Sequence, residues 1–541
     1  MKRALLIIAL LAVVGLPFLF RTKQATIESA DERVIIVTPH NEAIRSEFGR
    51  GFSAWYKART GRTIAIDWRV LGGTSEIARF LESEYLTSFQ NHWTNQLKRP
   101  WSMEVQAGSQ NGRLPADAPA IAREAREVFL ASDVGCGIDV FFGGGTYDFA
   151  KQASAGRFID SGLLRLHPEW FADGVVPRTF AGEEYWDKQG RWFGCVLSSY
   201  GIIYNQDSLH RLGLGQPPRQ WADLTDPRYR GEVALCDPTK SGSIAKAFEN
   251  VIQQQMQRRL RALEAAGGGD RPASEAQAIR EGWTEGLRLL QLVGANARYF
   301  TDTSQKPPID VAAGNCAAGM CIDFYGRSQV EAVQKRDNPA RLGYVTPKGG
   351  TVSSVDPIGL LRGAPHRAAA VAFLEYVLSM EGQKLWNFRP GTPGGPERYA
   401  LRRMPVRRDF YAHAEWEKQR SDPEAAPYEQ EDQLIYREAW TGGVFREMAF
   451  IVRVMCSDTH EELSTAWRAI NAPAVTAGNR ARALAVLQDL AAVSYDRTGS
   501  EIKKALGSKN KVDEILLAKA LAAQFRAQYL KAAEIARAGS P

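Results

Sequence analysis

The sequence predicts an α/β fold followed by a helical C-terminal extension. Three observations carry that expectation. Short β-branched runs alternate with amphipathic helical stretches through the first 85 residues and resume near residue 138. Small-residue turns recur where a strand hands over to a helix. From about residue 401 the strand signal fades, and helical patterns run to the end of the chain.

Taken in order, Val34-Ile35-Ile36-Val37 reads as a buried strand, broken by Thr38-Pro39-His40-Asn41. A helix follows with Ile44, Phe48, Phe52 and Trp55 on one face. Residues 63–70 read as a second strand, and Leu71-Gly72-Gly73-Thr74-Ser75 turns into a helix over 76–85. Residues 86–132 lose this rhythm and read as an insertion carrying one helix near 118–131. A buried strand at 138–142 ends in Gly143-Gly144-Gly145, and further strands are expected at 201–205 and 232–235. Helices are expected at 243–265, 275–294, 326–336 and 367–380, with Gly267-Gly268-Gly269 breaking the first two apart. Cys321-Ile322-Asp323-Phe324-Tyr325-Gly326 reads as a strand-like run ending in a turn. In the extension, Val512, Leu516, Phe525 and Tyr529 fall on one helical face, read as packing material or a partner surface.

Composition bounds the function. The chain has 541 residues, which at about 150 residues per domain suggests roughly three to four domain-sized units. Hydrophobic residues at 44% and charged residues at 24% exclude wholesale disorder. The formal charge is +7; the first thirty residues hold four bases and one acid, which leaves +4 for the remainder. So small and dispersed a surplus gives no argument for nucleic acid as a partner. Met1-Lys2-Arg3 followed by an apolar run over 4–20 reads as a secretory signal or N-terminal anchor within residues 1–30. That places the mature protein in the periplasm or another extracytoplasmic space, with membrane contact only through this segment. No cysteine precedes Cys136, which argues against a lipid-anchored lipoprotein, and the six cysteines form no CxxC pair. They read as small buried hydrophobes.

Catalytic signatures fail one by one. The chain has no Gly-Lys pair for a P-loop and no Gly-x-Ser-x-Gly elbow, and His460-Glu461 lacks the second histidine of a zinc-protease helix. Two turns remain that could hold an anion on unpaired helix-start amides. They are Gly72-Gly73-Thr74-Ser75 and Asp237-Pro238-Thr239-Lys240-Ser241-Gly242-Ser243, and the second adds the charge of Lys240. Helix capping explains a Ser or Thr at either one without any ligand. Gly143-Gly144-Gly145 after a strand adds weight, since open α/β sheets bind ligands at strand C-terminal ends. His40 also follows a strand.

Together these stretches resemble the periplasmic solute-binding proteins of ABC importers, specifically the ferric-iron-binding class. The resembling segments are Val37-Thr38-Pro39-His40-Asn41, Gly72-Gly73-Thr74-Ser75-Glu76, Asp139-Val140-Phe141-Phe142-Gly143-Gly144 and Tyr200-Gly201-Ile202-Ile203-Tyr204-Asn205. The series continues through Trp221-Ala222-Asp223-Leu224, Asp237-Pro238-Thr239-Lys240-Ser241-Gly242, Ser354-Val355-Asp356-Pro357-Ile358-Gly359 and Glu381-Gly382-Gln383-Lys384-Leu385-Trp386. It covers roughly residues 33–400. The resemblance implies a two-lobed type 2 periplasmic-binding fold with hinge strands, without enzymatic activity. Lobe 1 would be 33–199 with 352–400, lobe 2 would be 200–351, and 401–541 the extension.

It also implies a ligand clamped between the lobes and delivered to an ABC permease and its ATPase. Iron-binding members hold the metal through a histidine after the first strand, a carboxylate and two adjacent tyrosines. Here His40 and Tyr325 match two of these positions, but Phe324 replaces the second tyrosine and Gly143-Gly144-Gly145 stands where the carboxylate is expected. Asp323 or Glu76 could substitute. The anion-holding turn is intact, and relatives bind organophosphates and phosphonates through such turns. The expectation is therefore an anionic small solute held by amides at Gly73, Thr74, Ser75, Ser241, Gly242 and Ser243. Gly144, Gly145, His40, Asp323 and Tyr325 would complete the site. Ferric ion (Fe3+), as cargo bound through His40 and Tyr325, is the alternative, and a membrane-anchored solute sensor a further one. No cofactor is expected.

Overall fold

The structure is a computed structural model that describes residues 30–267, 270–336, 340–429, 433–508 and 510–538. The export segment read from the sequence lies outside these residues apart from Ala30, as do Gly268 and Gly269. Among the described residues, no helix is long and apolar enough to cross a membrane.

Strand β1 (Glu32–Val37) forms where the Ile-Ile-Val run can be buried, and β2 (Ile64–Arg69) lies parallel to it. Between them α1 (Glu42–Thr60) begins at Asn41, whose side chain accepts from the Ile44 amide at 3.1 Å. The helix ends at Gly61, in the left-handed region. Helix α2 (Thr74–Asn91) runs six residues beyond its expected end, into what the sequence suggested was an insertion's first loop. Helices α3 (Met103–Gln110) and α4 (Ala120–Ala131) then pair, with Gly108 letting α3 approach the Ala122 carbonyl. Strand β3 (Val140–Phe142) leads through Gly143 and Gly144, both at positive φ, into α5 (Thr146–Ser154).

Two sheets build the two lobes. The first has the order β11-β4-β10-β3-β1-β2 and takes in β4 (Trp192–Ser198), β10 (Ser354–Leu360) and β11 (Met404–Pro405). The second runs β9-β5-β8-β6-β7, from β5 (Tyr200–Asn205), β6 (Val233–Cys236), β7 (Ala297–Thr301), β8 (Ala318–Ile322) and β9 (Leu342–Val345). The chain crosses from the first sheet to the second at Ser199 and returns between β9 and β10. The crossings are tied together where the Tyr200 amide donates to Thr351 Oγ1 at 3.0 Å.

In the second lobe, α6 (Gly242–Ala265) and α7 (Arg271–Ala295) are long antiparallel neighbours. Helix α8 (Asp323–Gln334) starts where β8 ends, so Tyr325 sits in the first turn of a helix and not in a strand-like run. Helices α9 (Arg367–Leu378) and α10 (Met380–Asn387) return to the first lobe.

The extension differs from expectation in three ways. Its first residues are not helical: Met404–Pro405 completes the first sheet beyond residue 400 by pairing with β4. Next, α11 (Phe445–Val452), α12 (His460–Ile470), α13 (Ala477–Leu487) and α14 (Lys511–Arg537) pack mainly on the second lobe. Trp283 Nε1 donates to the Val493 carbonyl at 2.9 Å, and Gln291 Nε2 donates to the Leu487 carbonyl and to Tyr529 Oη at 3.0 Å each. Finally, the stripe on α14 divides: Phe525 and Tyr529 are buried, whereas Val512 and Leu516 are 51% and 59% exposed. All six cysteines are free, and all but Cys136 are buried.

Candidate functional site

Three helices begin where the lobes meet: α2 after Gly73, α5 after Gly145 and α6 after Ser241. Their turns touch. A Cβ on Gly73 would stand 2.5 Å from the Lys240 carbonyl oxygen, one on Gly144 would stand 2.4 Å from Thr74 Cγ2, and one on Gly242 would stand 3.1 Å from Asp148 Oδ2. The structure thus gathers Gly73, Thr74, Ser75, Gly144, Gly145, Ser241, Gly242 and Ser243 at one point between the lobes.

Two of these groups are already committed. The Gly73 amide donates to Glu76 Oε2 at 3.0 Å, and the Ser241 hydroxyl accepts from the Ile244 amide at 3.4 Å. Both contacts cap helices. The helix-start amides without an intrahelical acceptor are those of Thr74, Ser75, Gly242 and Ser243, fewer than the sequence suggested.

Beside this contact opens a cavity of about 730 Å³ that takes in Ser75, Thr239 and Lys240. Arg79, Lys151 and Arg453 also line it, against the carboxyls of Glu82, Asp148 and Glu514. Asp148 is buried, and that burial pushes its carboxyl up to about 6, against the pull of Lys151 and Arg79. On the other side of Asp148 lies a smaller cavity of about 330 Å³, bounded by Gly144, Gly145, Gly242 and Tyr200. Its character is acidic. Lys246 Nζ lies 2.6 Å from Glu183 and 2.9 Å from Glu249, and 3.2 Å from the centre of the Tyr436 ring. Burial raises the Glu183 carboxyl, and although burial opposes the Lys246 charge, the two carboxylates hold its ammonium well above the usual range.

His40, Asp323 and Tyr325 do not join that point. The His40 ring is buried edge-on to Phe142, with centroids 4.5 Å apart. Its Nε2 lies 3.4 Å from Asp356 Oδ2 and 3.3 Å from Arg403 Nη1, and burial, chiefly, lowers its pKa. Arg403 is fully buried, pairs with Asp356 at 2.8 Å, donates to Ser198 Oγ and lies over the Phe324 ring at 4.3 Å. Tyr325 lines a separate cavity of about 750 Å³ with Asn41, Gln305, Arg389 and Arg398. Asp323 is engaged within α8, accepting from Arg327 at 2.7 Å and from the Phe324 amide at 2.8 Å. Its carboxylate is not turned to a ligand, because a helix start and an arginine one turn on satisfy it.

Sequence reading missed Asp148, Glu183, Lys246, Asp356 and Arg403. Asp356 had a signal, an acid inside an otherwise apolar strand. Arg403 had none, since it stands among Arg402, Arg407 and Arg408. Among the described residues, no group of three or more His, Cys, Asp or Glu side chains is placed to hold a metal ion.

Residues 137–410 match the family described as bacterial extracellular solute-binding protein. An uncharacterized protein of Haemophilus influenzae is 27% identical over 248 residues, 46% of this chain and 60% of that protein. The phosphoglycerate transport regulatory protein of Salmonella typhimurium is 23% identical over 192 residues, 35% of this chain and 39% of its own length. The chain therefore spans less than two thirds of either relative. Among solved structures, the fructose-6-phosphate-bound periplasmic binding protein of Actinobacillus pleuropneumoniae aligns with a TM-score of 0.47 at 15% identity. That alignment covers 81% of this chain and 98% of that one.

Proposed function

Given that the chain belongs to the bacterial extracellular solute-binding proteins, we propose that it is the exported receptor of an ABC importer. In this reading it captures an anionic small solute, organophosphate or phosphonate in kind, between its lobes and presents it to a permease and its ATPase. It is a binding protein and not an enzyme.

One observation carries the choice of ligand. The cavity at the facing helix starts of α2 and α6 holds Arg79, Lys151 and Lys240, none of which has an ion pair within 4 Å among the described residues. Unpaired cations beside free helix-start amides favour an oxyanion. The name of the Salmonella relative, which refers to phosphoglycerate transport, is in keeping with this.

Ferric ion is the weaker reading for a stated reason. The guanidinium of Arg403 lies 3.3 Å from His40 Nε2 and over the ring of Phe324, the neighbour of Tyr325. A fixed positive charge there repels a trivalent cation.

Thermal unfolding of the purified chain against phosphate esters, phosphonates and ferric salts tests the proposal. Ligand at a hundred times its Kd stabilises the folded state by about 2.7 kcal/mol. Phosphate esters are expected to raise the midpoint. Ser243→Leu and Lys240→Glu are expected to remove that rise without lowering the ligand-free midpoint. A rise with ferric salts alone would overturn the anion reading.

A further inference from the structure

The far wall of the 730 Å³ cavity belongs to neither lobe. It is built by the C-terminal extension, where Phe445, Ala449 and Phe450 from α11 and Ile515 and Ala518 from α14 form an apolar strip edged by Arg446, Arg453, Lys511, Glu514 and Lys519. The lobes contribute Ser75, Arg79, Lys151 and Lys240 opposite. The extension also reaches the first lobe directly, where the Phe445 ring lies 4.6 Å from that of Tyr147 on α5.

Three features of this cavity call for more than an inorganic anion. Its volume lies inside the range of sites for drug-sized ligands, about 300–1,000 Å³. Its apolar strip faces Arg79, Lys151 and Lys240, which lack ion-pair partners among the described residues, so one cavity offers both apolar and cationic contacts. Ile515 lines it while remaining 53% exposed, and Val512 and Leu516 continue the exposed apolar surface along the same helix. A large aliphatic side chain left in water beside a cavity gains from an apolar occupant. Arg446 does not compete for the head group, because Glu514 and the Leu506 carbonyl already hold it, each at 2.9 Å.

Resting on the anionic-solute reading above, we infer that the ligand is an amphipathic organic anion. Its phosphate-like head faces Ser75, Arg79, Lys151 and Lys240, and its apolar chain lies on Phe445, Ala449, Phe450 and Ile515. The extension is then half of the binding site and selects the solute by its apolar portion.

The test is calorimetric titration of the full chain with methyl phosphate, hexyl phosphate and hexanol. Hexyl phosphate is expected to bind at least tenfold more tightly than methyl phosphate. Ile515→Asn, at a half-exposed position, is expected to cut that advantage severalfold while leaving methyl phosphate affinity unchanged. Lys240→Ala is expected to weaken both phosphates by the same factor. Equal affinity for the two phosphates overturns the inference and leaves the anion reading standing. Binding of hexanol as tightly as hexyl phosphate, or of neither phosphate, overturns the anion reading and this inference with it.

Discussion

At Asp148 the sequence shows only an acid in the first turn of a helix, where the helix dipole ordinarily favours a negative charge. The fold buries it between the two cavities and against the start of α6, and burial outweighs the nearby cations in raising its carboxyl to about 6. The folded state therefore holds the proton more tightly than the unfolded chain does. The stabilisation this gives is complete below pH 4 and is lost as pH rises towards 6, a difference of about 3 kcal/mol at about 1.4 kcal/mol per pKa unit. Asp148→Asn should match the wild type in thermal midpoint at pH 4 and exceed it at pH 7. Comparing the two proteins at each pH cancels the opposite contribution of His40, whose lowered pKa favours folding at higher pH. Equal midpoints at pH 7 would mean that the Asp148 carboxyl is not desolvated. His40 itself was legible as a residue after the first strand, but its partners Asp356 and Arg403 are 316 and 363 positions away in sequence.

Elements whose hydrophobic pattern is long were legible, and those held by pairing alone were not. Helix α1 and strand β1 follow their periodicity, whereas β7 has a mixed pattern (Ala-Arg-Tyr-Phe-Thr) and β11 is two residues long. Neither is a strand except through its neighbour. The glycine turn after β3 was legible as a turn, but its geometry is tertiary. Gly143 has φ +91°, and a Cβ there would stand 2.4 Å from the His40 ring. Gly61 also has positive φ, +74°, yet nothing lies within 4 Å. Gly61→Ala should cost about 1–2 kcal/mol, the backbone strain alone. Gly143→Ala should cost several kcal/mol more and displace His40. Denaturant unfolding of the two variants side by side measures the difference, and equal losses would show that the ring has room to move.

The molecule as a whole is closed across its cleft, and the contacts that close it come from three parts of the chain. Glu183 from the first lobe meets Lys246 from the second. The segment leading into α11 spans both: the Tyr436 amide donates to the Ala181 carbonyl at 2.8 Å, and the Arg437 amide to Gln253 Oε1 at 2.9 Å. Solute receptors of this architecture work by hinge closure, so weakening such a contact should shift the ligand-free population towards open forms. Glu183→Gln keeps the shape of the side chain and removes the charge that crosses the cleft. Lys246 retains Glu249, so the loss of stability should stay below the roughly 3–5 kcal/mol of a fully orphaned buried charge. Small-angle scattering of the ligand-free variant should give a larger radius of gyration than the wild type, and unchanged radii would show that the pair does not restrain the lobes.

The sequence by itself determined the α/β alternation, the glycine and serine turns that start helices, and the family these turns belong to. Each is a local consequence of side-chain periodicity and backbone freedom, written in neighbouring residues. Tertiary structure alone decided that Asp323 is held by Arg327, that Arg403 stands beside His40, and that the extension packs on the second lobe and walls the basic cavity. Those facts depend on which distant segments share a buried space. A buried charge is stable only with a partner, and a chain of this length offers many equivalent arginines and carboxylates from which folding selects one.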